Sequence, residues 1–242
     1  MTLTFAGTRG CIDARTPRHR MHTALLVVHR GGRVMIDCGE DWTRRVGRLR
    51  PHAILVTHAH PDHAGGLRCG SPCPVYATAD AWRGMERFPI APRDRRVIEP
   101  RRPRRIAGVT FEAFAVVHSI RAPAVGYRIG AGGARIFFVP DVLAIPRRAE
   151  ALGGVRLYVG DGASIVRPIV RRRGRRRFGH ASIRDQLEWC GAEGVTRAIF
   201  THCGSQIVAG DTRRSHAGVV ALARRYGIEA RVAHDGLVVR LR

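Results

Sequence analysis

The 242-residue chain contains no lysine and no asparagine. All 42 of its basic side chains are therefore arginine, set against 19 acidic ones, for a formal net charge of +23. Both missing residues have A-rich codons, so a GC-biased genome accounts for arginine in place of lysine. It does not account for the surplus of positive charge. A surplus of this size attracts polyanions, and guanidinium forks suit phosphate. A drift toward arginine with no nucleic-acid role stands beside that reading.

Long apolar runs are also missing. No stretch of about 18 apolar residues occurs, and the opening Met-Thr-Leu-Thr-Phe lacks a charged segment followed by an apolar one. Neither a membrane span nor a signal peptide is expected. Six cysteines (Cys11, Cys38, Cys69, Cys73, Cys190, Cys203) are scattered along the chain and read as reduced thiols in a cytoplasm. Cys69 and Cys73 come closest to a metal pair, with no second pair to complete a zinc ribbon.

What is present suits a folded domain. Hydrophobic residues make up 45% of the chain, which excludes a disordered polymer. The length fits one domain over residues 1–242, with no repeat of fixed period and no dividing linker. Residues 3–7, 23–29 and 33–37 read as strands, and 53–57 as a short buried strand ending abruptly at His58. Residues 64–67 read as the start of a helix, 74–77 as a strand, and 79–87 as a helix. The Pro- and Arg-rich stretch 91–105 reads as surface. Residues 109–118 alternate like a half-buried strand, 125–129 and 135–139 form a hairpin, and 155–160 is a further strand.

The basic stretch 167–177 cannot enter a core. Residues 182–191 have helical spacing, 198–201 a strand pattern, and 215–226 another helix. Val232 with residues 237–241 reads as a closing strand pair. Strands in two series with helices interspersed predict an α/β fold, an αββα sandwich of two mixed sheets flanked by helices.

One segment carries chemistry. Thr57-His58-Ala59-His60-Pro61-Asp62-His63 places three imidazoles and a carboxylate within six residues, directly after an apolar strand. Neutral imidazole nitrogens and carboxylate oxygens are ligands for zinc, manganese or iron. His58 and His60 fall on one side of an extended turn, with Asp62 and His63 able to reach a second site. Solvated loop histidines in this arrangement are improbable. His19, His22, His29, His52 and His216 carry no such signal and read as surface or loop residues.

The pattern T-H-x-H-x-D-H-x-x-G resembles the hallmark of the metallo-β-lactamase superfamily. Other residues resemble its later motifs in order: Asp37 ending an early strand, His118, Asp141 in Val139-Pro140-Asp141, and His202 in Thr201-His202. The resemblance covers nearly the whole chain. It implies two divalent metal ions, zinc first with manganese or iron as alternatives. His58, His60 and His118 would hold one ion and Asp62, His63 and His202 the other, with Asp141 bridging. Two such ions share and activate a water and neutralise charge on the substrate. Asp62, a ligand, is also a candidate catalytic carboxylate.

His180, in Gly179-His180-Ala181-Ser182, matches a histidine that sits beside the substrate phosphate in the ribonuclease Z and cyclic-phosphate phosphodiesterase branches. There it would donate a proton. Asp161 resembles a second strand-end acid and competes with Asp141 for the bridging position, which Asp141 better matches. His234 before Asp235-Gly236 resembles the phosphodiesterases' closing turn and reads as structural. The Gly-Thr-Arg-Gly segment departs from the family's opening Gly-Thr-Gly turn at Arg9, a change expected at the substrate mouth.

The stretch from His118-Ser119 to Gly126-Tyr127 is similar to the ribonuclease Z and phosphodiesterase side rather than to glyoxalase II or lactonases. The expected substrate is a phosphate ester, small or cyclic in preference. A nuclease using residues 171–177 on RNA or DNA is the alternative, as is a lactone or thioester hydrolase. Against the nuclease, no long inserted arm is present. The resemblance also brings a homodimer into consideration.

Overall fold

The computed structural model describes residues 1–241; the expected single domain extends to Arg242, which lies outside the described residues. The chain begins with β1 (Thr2–Gly7), β2 (Ala24–His29), β3 (Gly32–Ile36) and β4 (Ala53–Leu55). Helix α1 (Pro61–Ala64), β5 (Val75–Ala77), α2 (Ala79–Gly84), β6 (Arg95–Val97) and β7 (Arg104–Ile106) follow. The middle contains β8 (Val109–Val116), β9 (Ala124–Ala131), β10 (Ala134–Phe138), α3 (Arg148–Leu152) and β11 (Leu157–Asp161). Next come β12 (Ile169–Arg173), β13 (Arg176–His180), α4 (Ile183–Ala192) and β14 (Arg197–Thr201). Finally there are α5 (Ser205–Val208), α6 (Thr212–Arg224), β15 (Glu229–Val232) and β16 (Leu237–Arg240).

Two seven-stranded sheets form, in the orders β16-β1-β2-β3-β4-β5-β6 and β15-β14-β11-β10-β9-β8-β7, with β12-β13 as a separate hairpin. Period-2 alternation divides the apolar residues between faces. Leu3 and Phe5 of β1, Ala53 and Leu55 of β4, and Ile136 and Phe138 of β10 meet in the central core between the sheets. Ile54 and Val56 point the other way, onto Ala64, Ala81 and Met85. Phe137 likewise faces outward, onto the layer of Ile183, Leu187 and Val219. Both faces of each sheet are buried, so their central strands read as continuous apolar runs. This is the expected αββα sandwich.

Several expectations need correction. The helix after the histidine motif begins at Pro61 rather than Ala64, because proline's fixed φ suits the first helical position and His60 is still extended. Residues 65–67 continue only as a 3-10 turn. Surface stretch 91–105 contributes two edge strands, β6 and β7. Val232 and residues 237–240 do not pair with each other: β15 joins β14, while β16 crosses to β1 in the other sheet. The basic stretch is exposed as expected but folds as the hairpin β12–β13.

Candidate metal centre

Strand direction brings the motif residues to one rim. β3 and β4 run parallel, and so do β10, β11 and β14. β8 is antiparallel to β9, which is antiparallel to β10, so β8 points the same way as β10. Asp37, His58, His118, Asp141 and His202 each lie just past the C-terminal end of one of these strands, and Asp161 ends another. Asp37 and His202 adopt φ of 61° and 52°. Left-handed conformations at non-glycine residues cost energy and cluster at functional sites.

The candidate residues come together as two clusters that share Asp141. In the first, His60 Nδ1 lies 2.9 Å from His58 Nε2 and 3.3 Å from His118 Nε2. Asp141 Oδ2 lies 3.0 Å from His118 Nε2 and 3.5 Å from His58 Nε2. In the second, Asp62 Oδ2 lies 3.0 Å from His202 Nε2 and 3.3 Å from His63 Nε2. The other Asp141 oxygen, Oδ1, lies 3.3 Å from His63 Nε2 and 3.0 Å from His202 Nδ1.

Outer partners fix how the rings face. Thr57 Oγ1 donates to Asp37, leaving its lone pair to accept from His58 Nδ1 at 3.0 Å. His63 Nδ1 donates to Asp37 Oδ2 at 2.8 Å, and His118 Nδ1 to the Gly179 carbonyl at 3.1 Å. With their protons on Nδ1, His58, His63 and His118 each turn an Nε2 lone pair inward.

This donor set fits divalent cations. At most one of His60 Nδ1's two ring contacts can be a hydrogen bond, because both facing nitrogens carry lone pairs. His63 Nε2, Asp141 Oδ1 and His202 Nδ1 are buried without hydrogen-bond partners; their close approaches lack the necessary alignment. Donor atoms around an ion with bonds of about 2.1 Å stand roughly 3.0–3.4 Å apart, as these do.

Burial pushes His58 down, and His118 down to about 4, so both are neutral and able to ligate. In the second cluster burial opposes charge, yet Asp141, Asp62 and Asp37 outweigh it and raise His63. His202 is raised to about 10 against its burial, chiefly by Asp141. A cation entering there would displace protons.

His180 closes the site from the other side, its ring 4.9 Å from that of His118 and 5.5 Å from that of His202. Its Nδ1 donates to Asp161 Oδ2 at 2.7 Å. Unlike Asp141, Asp161 has both oxygens engaged by the chain, since it also accepts from the Val142 and Ala163 amides.

Residues outside the two donor clusters correct the sequence reading. Arg9 does not stand at a mouth: it is buried, with Nη2 2.6 Å from Asp41 Oδ2. His19 and His22 are buried rather than superficial. His22 Nδ1 lies 2.9 Å from the same Asp41 oxygen, while His19 Nδ1 donates to Thr8 Oγ1, which donates onward to Asp235. Asp235 also accepts from the Arg20 and Met21 amides, which makes the closing turn structural. Thr57 stands in the motif with no orienting role read for it, and the role of the Gly179 carbonyl has no sequence signal. All six cysteines are free.

Residues 32–203 match the family model of the beta-lactamase superfamily domain. A ribonuclease Z of Bradyrhizobium diazoefficiens is 43% identical over 70 residues, 27% of this chain; the match spans only 22% of that protein's length. Among solved structures, a diphosphatase of the PhnP family superposes with a TM-score of 0.74 at 20% identity, covering 100% of this chain and 98% of that one. The short form of human tRNase Z superposes at 0.67 with 17% identity, covering 100% of both chains. The family match, together with the fold and the motif residues at its rim, shows that the chain belongs to the beta-lactamase superfamily and has the metallo-β-lactamase fold.

Proposed function

We propose that this chain, acting as one domain, hydrolyses phosphodiesters with two divalent metal ions, zinc by preference. His58, His60 and His118 would hold one ion and Asp62, His63 and His202 the other, with Asp141 shared by the two donor sets. The observation that carries the reading is the position of His180, held by Asp161 beside both donor clusters. When bound, the ions supply an activated water and neutralise charge on a phosphate.

The chain's own residues do the rest. Asp37, Thr57 and the Gly179 carbonyl orient the ligating imidazoles. Asp161 keeps the His180 proton on Nδ1 in the neutral ring and stabilises the imidazolium. That cation delivers its Nε2 proton to the leaving oxygen as the ester bond breaks. Asp161 serves His180 rather than a metal because its oxygens are already engaged. The reading includes a cytoplasmic location, where thiols such as the buried, free Cys38, Cys190 and Cys203 stay reduced.

A small or cyclic phosphate ester and a nucleic acid both suit this chemistry. The ribonuclease Z similarity and the exposed basic hairpin favour the second. The test is hydrolysis of bis-p-nitrophenyl phosphate by protein loaded with zinc or manganese. Turnover that collapses in Asp141→Ala supports the proposal. No turnover from protein containing both ions overturns it and moves the search to lactones and thioesters.

A further inference from the structure

The hairpin β12–β13 grows directly out of the candidate metal centre. Its last residue is His180, paired across the hairpin with Ile169. Its base is locked to His118 by one backbone and one side-chain hydrogen bond: the Gly179 amide donates to the His118 carbonyl at 2.7 Å, and His118 Nδ1 donates to the Gly179 carbonyl. Gly179 has φ 128°, and a Cβ there would stand 2.0 Å from the Ile169 carbonyl oxygen, so only glycine permits this anchoring.

The rest of the hairpin carries a concentration of charge that its own stability does not call for. Arg171, Arg172, Arg173, Arg175, Arg176 and Arg177 are all exposed. Arg172 stands opposite Arg177, and Arg173 opposite Arg176. Like charges directly across two strands destabilise them, and an isolated two-stranded hairpin is marginal to begin with. Among the described residues none of the six forms an ion pair. Elsewhere some arginines are paired, Arg101 and Arg128 with Glu112 and Arg148 with Glu193, and many are not. What sets the hairpin apart is density: six arginines within seven residues, two pairs of them directly across the strands.

Alternation sorts the hairpin into two faces. Val170 and Arg177 lie over a cleft against α4, lined also by Ala181, Asp185 and Trp189. The opposite face presents Arg171, Arg173, Arg176 and Phe178. Phe178 is half-buried and belongs to none of the three apolar cores. Same-face residues on a strand are about 6.6 Å apart, close to the spacing of successive phosphates in an extended strand. Cations at that spacing around one aromatic ring, ending two residues before His180, match what a single strand requires: charge for phosphates and a π-face for a base.

We propose that the Arg171, Arg173, Arg176 and Phe178 face is a track for single-stranded nucleic acid that leads a phosphodiester to His180. The proposal rests on the phosphodiesterase reading for the chemistry at the end of the track, but the track binds whether or not cleavage follows. Base stacking on Phe178 distinguishes this partner from an anionic membrane, which offers charge without a base.

The test uses the full, metal-loaded chain and a short labelled oligouridylate with phosphorothioate linkages, read by fluorescence anisotropy across a salt series. Arg171→Gln/Arg173→Gln is expected to weaken binding about tenfold and to flatten the slope of log K against log salt by about 1.4. The charge-matched pair Arg172→Gln/Arg177→Gln, on the other face, is expected to cost clearly less. Phe178→Leu is expected to lose about tenfold with no change in salt slope.

Equal losses from the two double variants would overturn the track, leaving only net charge. So would an unchanged affinity in Phe178→Leu, or equal binding to phosphatidylserine vesicles. Thermal melts of each variant establish that it is folded. If the oligonucleotide binds as described while bis-p-nitrophenyl phosphate is not turned over, the track stands and the phosphodiesterase reading falls. If turnover is present and the oligonucleotide does not bind, the track falls alone.

Discussion

Asp37 Oδ2 lies 2.8 Å from His63 Nδ1, with both side chains fully buried. The same carboxylate accepts from the Thr57 amide at 2.8 Å and from the Thr57 hydroxyl. One strand-end acid thus orients one imidazole of each cluster, His63 directly and His58 through Thr57. Asp37→Asn puts an amide where an acceptor is needed, so His63 can turn its proton inward. Metal affinity, measured by titration against a competing chelator, is expected to fall about 10- to 100-fold. Unchanged affinity would remove Asp37 from the orienting role.

The Asp161–His180 pair predicts a pH profile. Burial opposes charge on His180, but Asp161 outweighs it and raises the imidazole above its ordinary value. A proton donor is active while protonated, so kcat is expected to fall as pH rises through that raised value. Asp161→Asn removes the anion and should move the alkaline limb to lower pH. His180→Ala should lower kcat about 10²- to 10⁴-fold with little change in KM. A merely structural pair would not shift the limb.

His19 supplies a separate test through stability. Burial, with Arg18 and His234 adding to it, lowers its pKa from 6.5 to about 4. The folded value is depressed, so the unfolded chain takes up the proton first. The stabilising effect of neutral His19 is full above 6.5 and is lost as pH falls from there toward 4. Denaturant melts across that window should show wild type losing stability faster than His19→Gln. Parallel curves would mean that His19 titrates normally.

Arg9 is expected to matter for folding rather than for substrate. Its guanidinium holds Asp41 below the ordinary carboxylate range despite that group's partial burial. Asp41 in turn accepts from the His22 amide. Removing one partner of a buried ion pair costs about 3 kcal/mol. Arg9→Ala should show that loss in urea melts, with KM unchanged in whatever molecules remain folded. A change in KM at full stability would restore Arg9 to the substrate mouth.

Sequence alone carried much of this protein. Apolar periodicity located the strands, because a side chain's face is set by its parity along a strand, whatever the strand packs against. The spacing of His58, His60, Asp62 and His63 announced a ligand loop, since so many donors after an apolar strand have few other uses. What sequence could not settle depends on contacts between distant segments. Val232 and Leu237 are near in sequence yet belong to different sheets, because pairing is decided by which edge is open. His19 and His22 look like loop histidines until Thr8 and Asp41 fold over them. Residues 171–177 read as barred from a core and as the contact run of the alternative nuclease; the cross-strand register made them a two-faced hairpin, and the Gly179–His118 contacts tied it to the rim. Local propensity and patterning are written residue by residue, whereas the partners of Asp141, Asp161 and His180 exist only once both sheets have closed around the core.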